Sequence, residues 1–210
     1  MADLKGRVGL RRLKDGAMDF LRLSPGGGVV SIQGAASFQE AVRNGNCYVA
    51  ETAATGVAPG TSVSTTHAFT LYNPVGSGVN LVVWRASVGY VSGTLGAGVI
   101  HYVGPTPGNA TAVTFSAAIT PVNLLLNNAR SATGRPGTTA TVPANPLVLR
   151  PFGSMGASLA STAVQPWMLT ENVDGEFVVT PGGYLSLHST AAGGSTPLVV
   201  IGMSWEEVPV

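Results

Sequence analysis

Few residues in this chain have the type and spacing that catalysis or metal binding needs. The three histidines are His67, His101 and His188, and each falls on or beside a predicted strand. A Ser/His/acid triad needs a histidine held between a nucleophile and a carboxylate, and none of the three stands in a recognisable motif of that kind. Their wide separation in sequence argues against a paired-histidine metal site on one strand. We therefore expect strand histidines with structural roles, no catalytic residue, no metal and no cofactor, unless the fold brings the rings together.

The acidic group Glu171, Asp174 and Glu176 matches a calcium loop or a glycosidase pair in residue type alone. It lacks the alternating oxygen-ligand spacing of calcium loops, so we expect a solvated loop there. Cys47 is the only cysteine, which excludes an intrachain disulfide and any multi-cysteine metal site. No neighbouring histidine or basic helix terminus is predicted to activate its thiol, so we expect Cys47 to act as a small buried hydrophobe.

Charge is concentrated at the N-terminus. Charged residues make up 10% of the chain, against about 25% in an ordinary soluble domain. Residues 1–22 hold six Lys or Arg and three Asp, interleaved with apolar side chains. This segment is either a solvated, frayed terminus or an arm that docks to partner subunits, and we favour docking because a solvated tail needs no apolar anchors. The residues predicted to bind a partner are Lys5, Arg7, Leu10, Arg11, Arg12, Leu13, Lys14, Phe20 and Arg22.

The rest of the sequence argues against nucleic acid and membrane partners. From residue 44 onward the chain carries only four Arg, too few to hold a phosphate backbone by counterion release. No apolar run reaches the roughly 18 residues of a membrane-spanning helix. The basic N-terminus also lacks the apolar core of a secretory signal. We expect synthesis as a soluble cytosolic protein.

The elements that must position these residues are predicted to be strands. The 28 Gly and 14 Pro punctuate short apolar runs, many with period-two alternation, whereas helical periodicity is nearly absent. This pattern predicts an all-β antiparallel β-sandwich, with a jelly roll as the simplest arrangement. The predicted strands are residues 68–72, 80–91, 98–103, 112–117, 147–152, 176–180, 184–188 and 197–206.

Two segments stand apart from the predicted sandwich. Residues 1–50 have apolar side chains too sparse for a core, and we interpret them as a partly extended N-terminal arm. Residues 51–210 then form the sandwich domain. Within it, the Thr/Gly/Pro-rich segment 121–146 predicts a long loop, with a short helical turn possible at 122–126.

Residues 71–83 (LYNPVGSGVNLVV) and 88–98 (VGYVSGTLGAG) resemble segments of tailed-bacteriophage virion proteins. The resemblance implies a subunit of an icosahedral head or its attachments, of the capsid decoration or cement type. Such a protein is expected to form a homotrimer, to bind the major capsid protein, and to reside on the capsid surface after synthesis in the host cytoplasm. Low charge fits a surface that is largely covered by partners.

Two alternatives remain open. The same fold could belong to a head or tail fibre, with the loop at 131–144 contacting host glycans, although three Trp and five Tyr make an aromatic sugar platform hard to identify. An enzyme of an unrecognised kind is the other alternative, and loss of an activity on mutating His101 or His188 would favour it. We expect no enzyme.

Overall fold

The computed structural model describes residues 38–96, 98–108, 112–155, 168–190 and 194–210. The chain divides into two compact units, residues 1–40 and 41–210. Of the first unit only residues 38–40 are described, and the short helix α1 (Gln39–Arg43) begins there. The sandwich described below belongs to the second unit.

Within the described residues the chain forms eleven strands. They are β1 (Cys47–Glu51), β2 (Thr66–Tyr72), β3 (Val79–Leu95), β4 (Gly98–Gly104), β5 (Thr114–Ala118), β6 (Val122–Asn123), β7 (Arg135–Thr141), β8 (Leu147–Met155), β9 (Met168–Val179), β10 (Tyr184–Ser189) and β11 (Gly194–Pro209). No described helix is long and apolar enough to cross a membrane.

The strands form two antiparallel sheets that pack together as a sandwich. Sheet I has the order β6-β1-β11-β3-β9, and sheet II has the order β5-β7-β2-β10-β4-β8. The longest ladder joins β3 to β11 through irregularities at three points. At one side of the sandwich the edge strands are β8 and β9, so the backbone groups on their outer sides pair with no strand among the described residues.

The core lies between the sheets and follows from strand alternation, since every second side chain points inward. On β3 the buried members are Leu81, Val83, Ala86 and Val88, with a one-residue irregularity at Trp84. Strands β11, β2, β10 and β4 contribute the buried side chains Val199, Ile201, Met203, Trp205, Phe69, Leu71, Leu185, Leu187, Ile100 and Tyr102, and β1 and β9 add Tyr48, Ala50, Val173 and Val179. Burying each of these large apolar side chains stabilises the fold by about 1.5–3 kcal/mol.

The all-β antiparallel sandwich predicted from the sequence is confirmed, while the jelly-roll arrangement stays a prediction. Each of the eight predicted strands overlaps a strand of the structure, and several are longer than predicted. The largest extension is β9, which runs from Met168 rather than from Glu176. The extra length comes from pairing with β3, which lies opposite residues 168–172 and 177–179 of β9.

Three strands lie in segments predicted to be arm or loop. The predicted arm, residues 1–50, overlaps β1, so the sandwich begins before residue 51. The segment 121–146 is not one long loop, because it contains β6 and β7, and the helical turn considered at 122–126 starts instead as strand β6. Strand β7 has weak strand propensity, but it pairs with β2 on one side and β5 on the other.

Gly137 shows why the composition of β7 suits its place. A Cβ at this position would lie 2.3 Å from Cδ1 of Phe115, whose ring covers the backbone there. The glycine that weakened the strand signal in the sequence therefore makes room for an aromatic side chain of the neighbouring strand β5.

Candidate functional site

The fold brings two of the three histidines together. His67 on β2 and His188 on β10 stack with ring centroids 5.0 Å apart and an angle of 30° between their planes. Both are sealed from solvent, with exposed fractions of 0% and 3%. The sequence had left convergence of histidines open, and it occurs because β2 and β10 are neighbours in sheet II.

The hydrogen bonds of His188 fix its tautomer. Its Nδ1 accepts from the backbone N–H of Ala68 at 3.1 Å, so Nδ1 carries no proton. Its Nε2 donates to the carbonyl oxygen of Ser62 at 2.8 Å. Each ring nitrogen thus has one partner, and the arrangement suits only the neutral ring.

His67 stands at the end of a chain of hydroxyl groups. Its Nε2 donates to the carbonyl oxygen of Ser64 at 2.9 Å, which leaves Nδ1 as an acceptor for Ser186 Oγ at 2.8 Å. Ser186 Oγ in turn lies 2.7 Å from Oγ1 of Thr70. Ser186 and Thr70 are both fully buried, so the polar atoms of this hydrogen-bonded series are partnered inside the protein.

The surroundings of both rings disfavour the charged form. Burial, and after it the nearby His188 ring, lower the pKa of His67 to about 4, although the hydrogen bond to Ser64 opposes the change in part. Burial also lowers the pKa of His188, against the opposing effect of its bond to Ser62. Both rings are therefore neutral at neutral pH.

A serine hydroxyl bonded to an imidazole is also the arrangement of an activated nucleophile. Here residues 59–64 close over it: a Cβ on Gly60 would lie 2.0 Å from Cε1 of His188. A substrate has no path to Ser186 in this state, since the hydroxyl is completely buried. The cluster therefore serves to join β2, β10 and residues 59–64.

The third histidine, His101, lies on β4 directly opposite His188 and is half-buried. Its Nδ1 is buried without a hydrogen-bond partner among the described residues. In the described part of the chain, no three or more His, Cys, Asp or Glu side chains come close enough to hold a metal ion.

The acidic group predicted to be a solvated loop lies instead in β9. Glu171 and Glu176 both bind Arg150 of β8, with Nη2 2.9 Å from Glu171 Oε1 and 2.5 Å from Glu176 Oε2. Asp174 occupies a bulge in the strand with a φ of 49°. The loop prediction was wrong because this segment pairs with β3, and two of its carboxylates bind a cation on the opposite sheet.

Arg150 joins the two sheets at their edges. Its guanidinium carbon lies 4.7 Å from the centroid of the Tyr102 ring and 5.2 Å from that of Phe177. Tyr102 donates its hydroxyl proton to Glu171 Oε2 at 2.9 Å. Burial, then this bond to Glu171, raises the pKa of Tyr102, and the bond to Glu176 raises the pKa of Arg150.

Arg150 was not singled out from the sequence, although a signal was present. It is the only charged residue in the predicted strand 147–152 and one of only four Arg after residue 44. A lone cation within an apolar strand indicates a partner, since burying part of a charge is costly without one. The identity of that partner depends on the packing of sheet II against sheet I.

Cys47 is fully buried, as expected. Burial raises its pKa to about 12, and the neighbouring carboxylate of Glu206 contributes in the same direction. The thiolate that would act as a nucleophile or metal ligand is thus strongly disfavoured.

No protein-family model, curated protein or solved structure matches the chain. Its functional interpretation therefore rests on its own residues. The nine predicted partner-binding residues between Lys5 and Arg22 lie outside the described residues.

Among the described residues, an exposed apolar feature that we call the rim is formed by Leu147, Val148 and Leu149 of β8 with Val178 of β9. Their exposed fractions are 43%, 45%, 45% and 49%. Beside them lies a groove of about 260 Å³ lined by residues of β9, the end of β4 and the turn before β10, with Leu149 and Val178 in its wall. The rim thus combines apolar side chains, a groove and two strand edges.

Proposed function

We propose that the chain is a tailed-bacteriophage virion structural protein, a capsid decoration or cement protein that binds the outer shell and stabilises contacts between major capsid subunits. The resemblance at residues 71–83 and 88–98 supplies the class of protein. The rim supplies the structural observation that carries the proposal.

An apolar strand edge is a liability in a protein that stays alone in water. Unpaired backbone N–H and C=O groups invite pairing with another chain, and natural edges are commonly blunted with charges or Pro. Strand β8 carries a charge and a Pro at Arg150 and Pro151. The three residues before them, Leu147, Val148 and Leu149, are consecutive, apolar and 43–45% exposed. Contiguous exposed apolar surface of this kind marks interaction sites, so the rim is the surface that a neighbouring subunit covers.

The first segment that carries the resemblance builds a rigid turn. Asn73 follows β2, and its Nδ2 donates to the carbonyl oxygens of Val79 and Val179, both at 2.8 Å. Gly76 and Gly78 each have a φ of 74°, which favours glycine. The turn connects sheet II to sheet I, so the segment that carries the resemblance has an architectural role within the sandwich.

In this proposal the sandwich forms a homotrimer through the rim, and the N-terminal segment with its basic and apolar residues binds the major capsid protein. Residues 1–37 carry six Lys or Arg and three Asp. The positive excess favours acidic surface on the shell. A permanent assembly of this type buries roughly 2,000 Å² or more per interface.

The test uses virus particles produced with and without the gene for this chain. We expect the protein in purified particles by mass spectrometry, extra density on the shell by electron cryomicroscopy, and loss of particles lacking it under osmotic shock. Particles that do not contain the protein, or shells equally resistant without it, would refute the proposal.

A matched pair of variants tests the rim itself. Val148→Glu places a charge on the rim, whereas Val75→Glu places one on the turn after β2, where the side chain is 68% exposed. We expect Val148→Glu to yield folded monomers by light scattering and to be missing from particles, and Val75→Glu to behave as the wild type. Equal trimer formation by both variants would rule out the rim as the contact.

A further inference from the structure

Residues 59–64, which we call the covering segment, are held over the histidine pair by few contacts. Pro59 accepts from the backbone N–H of Ser189 at 2.7 Å. Two further bonds run from His188 to Ser62 and from His67 to Ser64. Ser64 Oγ also exchanges hydrogen bonds with the backbone of Thr66 at the start of β2. Both bonds that join the covering segment to the histidine pair therefore end on rings that can take up a proton.

The covering segment is anchored at both ends and is largely exposed over its second half. Before it, Val57 forms a bridge with Val199 of β11, and after it the carbonyl oxygen of Thr65 accepts from Val142 at 2.8 Å. Pro59 is buried, but residues 61–64 are exposed. A segment with fixed ends and little buried surface opens locally at low cost.

The groups around the rings leave protonation uncompensated. Residues 52–65 contain no titratable side chain. Strand β10 contributes Tyr184, whose ring meets His67 edge-on at 6.0 Å, and β4 contributes His101 opposite His188. Strand β7 places Ala140 opposite His67. No carboxylate faces the pair from these elements, so within the described part of the chain a proton on either ring has no counter-ion.

Protonation also disrupts specific bonds. A proton on Nδ1 of His188 points at the N–H of Ala68, so two donors face each other where a hydrogen bond stood. A proton on Nδ1 of His67 can be accommodated if Ser186 turns to accept it and donates to Thr70. It then places positive charge 5.0 Å from the second ring.

We propose that the covering segment is an acid-released strap, closed over His67 and His188 at neutral pH and released when the two rings take up protons. Opening lets water solvate the charged rings, while the anchors at Val57 and Thr65 hold the ends of the strap. The inference concerns residues 59–64 and stands apart from the proposed role in a virion.

The direction of the pH effect follows from linkage. An open, solvated histidine titrates near its ordinary pKa of about 6.5, whereas burial lowers the pKa of His67 to about 4 in the closed state. Between these values the open state binds more protons, so the closed state loses stability as pH falls through that window. Above about 6.5 neither state is protonated and the closed state has its full stability. The opening constant rises up to about tenfold per pH unit for one ring and about a hundredfold for two.

Amide hydrogen exchange followed by NMR measures this opening. The N–H of Ser189 is bonded to Pro59 and that of Ala68 to His188, so both report on the strap. After correction for intrinsic exchange, we expect their protection to fall by about tenfold or more per pH unit between pH 6.5 and 4.5. The N–H of Ile201, bonded to Thr52 on sheet I, reports on global unfolding and is expected to change far less. Parallel loss of protection at all three sites would contradict a local strap.

Variants that keep the hydrogen bonds of the two histidines but cannot take up a proton complete the test. Gln at position 188 can accept from Ala68 and donate to Ser62, and Gln at position 67 can do the same with Ser186 and Ser64. We expect His67→Gln/His188→Gln to flatten the pH dependence at Ser189, and His101→Gln to leave it unchanged. A folded double variant with the wild-type slope would overturn the proposal. If the double variant does not fold, the NMR resonances of the histidine ring protons in the wild type provide the test. The proposal would also be overturned if both rings titrate in the closed protein at the ordinary histidine pKa of about 6.5.

Discussion

Arg150 of β8 forms a bidentate ion pair with Glu176 of β9. Its Nε lies 3.0 Å from Oε1 and 3.1 Å from Oε2, and its Nη2 also donates to Oε2. The two residues stand on the edge strands of different sheets. Their pairing thus joins sheet II to sheet I at the side of the sandwich that carries the rim. A bidentate Arg–carboxylate pair has more defined geometry than a typical surface ion pair.

A double-mutant cycle with Arg150→Met and Glu176→Gln measures this link. We expect a coupling of about 1 kcal/mol in the free energy of unfolding by urea, discounted because the Glu176 side chain is half exposed. Arg150→Met alone costs more than Glu176→Gln, because it also leaves Glu171 without its cation. Arg85→Met, which removes an exposed bond to Asn172, is the control and is expected to change stability by less than about 0.5 kcal/mol. If the two single substitutions change the free energy of unfolding additively, the ion pair does not couple the sheets.

The second prediction concerns Glu207, a buried carboxylate that accepts hydrogen bonds from backbone N–H groups. Its Oε1 accepts from the backbone N–H groups of Thr133 at 2.7 Å and Gly134 at 2.8 Å, and its exposed fraction is 4%. Glu207→Met leaves both donors unpaired, and we expect a loss of about 2–4 kcal/mol by thermal or urea unfolding. Glu207→Gln keeps an acceptor oxygen and is expected to cost less.

The adjacent Glu206 is the matched control for that series. It lies opposite Cys47 on the other face of β11, and burial raises its pKa, so its surroundings stabilise the charged form less than water does. We expect Glu206→Gln to change stability by less than about 1 kcal/mol. A loss at Glu206 as large as that of Glu207→Met would mean that the donors at Thr133 and Gly134 contribute little.

The strands were predictable where local sequence determines them. Strand β3 contains the apolar run Leu81–Trp84, rich in β-branched residues and preceded by a glycine-rich turn, so it is recognisable as a strand without any neighbour. Strand β7 contains Pro136 and Gly137 among Thr residues, and it becomes a strand because β2 and β5 pair with it from both sides. Such pairing is a property of the sheet order and leaves no local signal.

The same distinction applies to the candidate site. The burial of Cys47 follows from its type and setting, and it was predicted. The stacking of His67 on His188 depends on the adjacency of β2 and β10, and the bond from Arg150 to Glu176 depends on how the two sheets pack. Sequence patterns predict strands far better than strand order, so these side-chain contacts could not be predicted from the sequence.

The third prediction concerns the close approach of the Gly60 backbone to the His188 ring. Its φ is 96°, and an added Cβ would lie 2.0 Å from Cε1 of His188. Gly60→Ala must therefore move the covering segment, the ring, or both, and we expect a loss of about 2–4 kcal/mol in thermal unfolding together with lost protection at Ser189.

Gly76→Ala separates backbone strain from the clash. Gly76 has a φ of 74° with nothing within 4 Å of the added Cβ. We expect it to cost about 1 kcal/mol through the left-handed conformation alone. Equal losses at positions 60 and 76 would show that the covering segment does not press on His188 as described.

Cys47 gives the last prediction, since the only cysteine makes thiol labelling an unambiguous readout. Burial and the charge of Glu206 raise its pKa from 9.0 to about 12, so at pH 8 the thiolate is about a thousandfold scarcer than in an unfolded chain. We expect negligible reaction of the folded protein with iodoacetamide and complete reaction of one thiol in urea, followed by mass spectrometry. Ser92→Cys in a Cys47→Ser background places a thiol at an exposed position of β3 and is expected to react quickly without denaturant. Rapid labelling of native Cys47 would contradict its burial between β6 and β11, since the thiol reacts only when strand β1 opens.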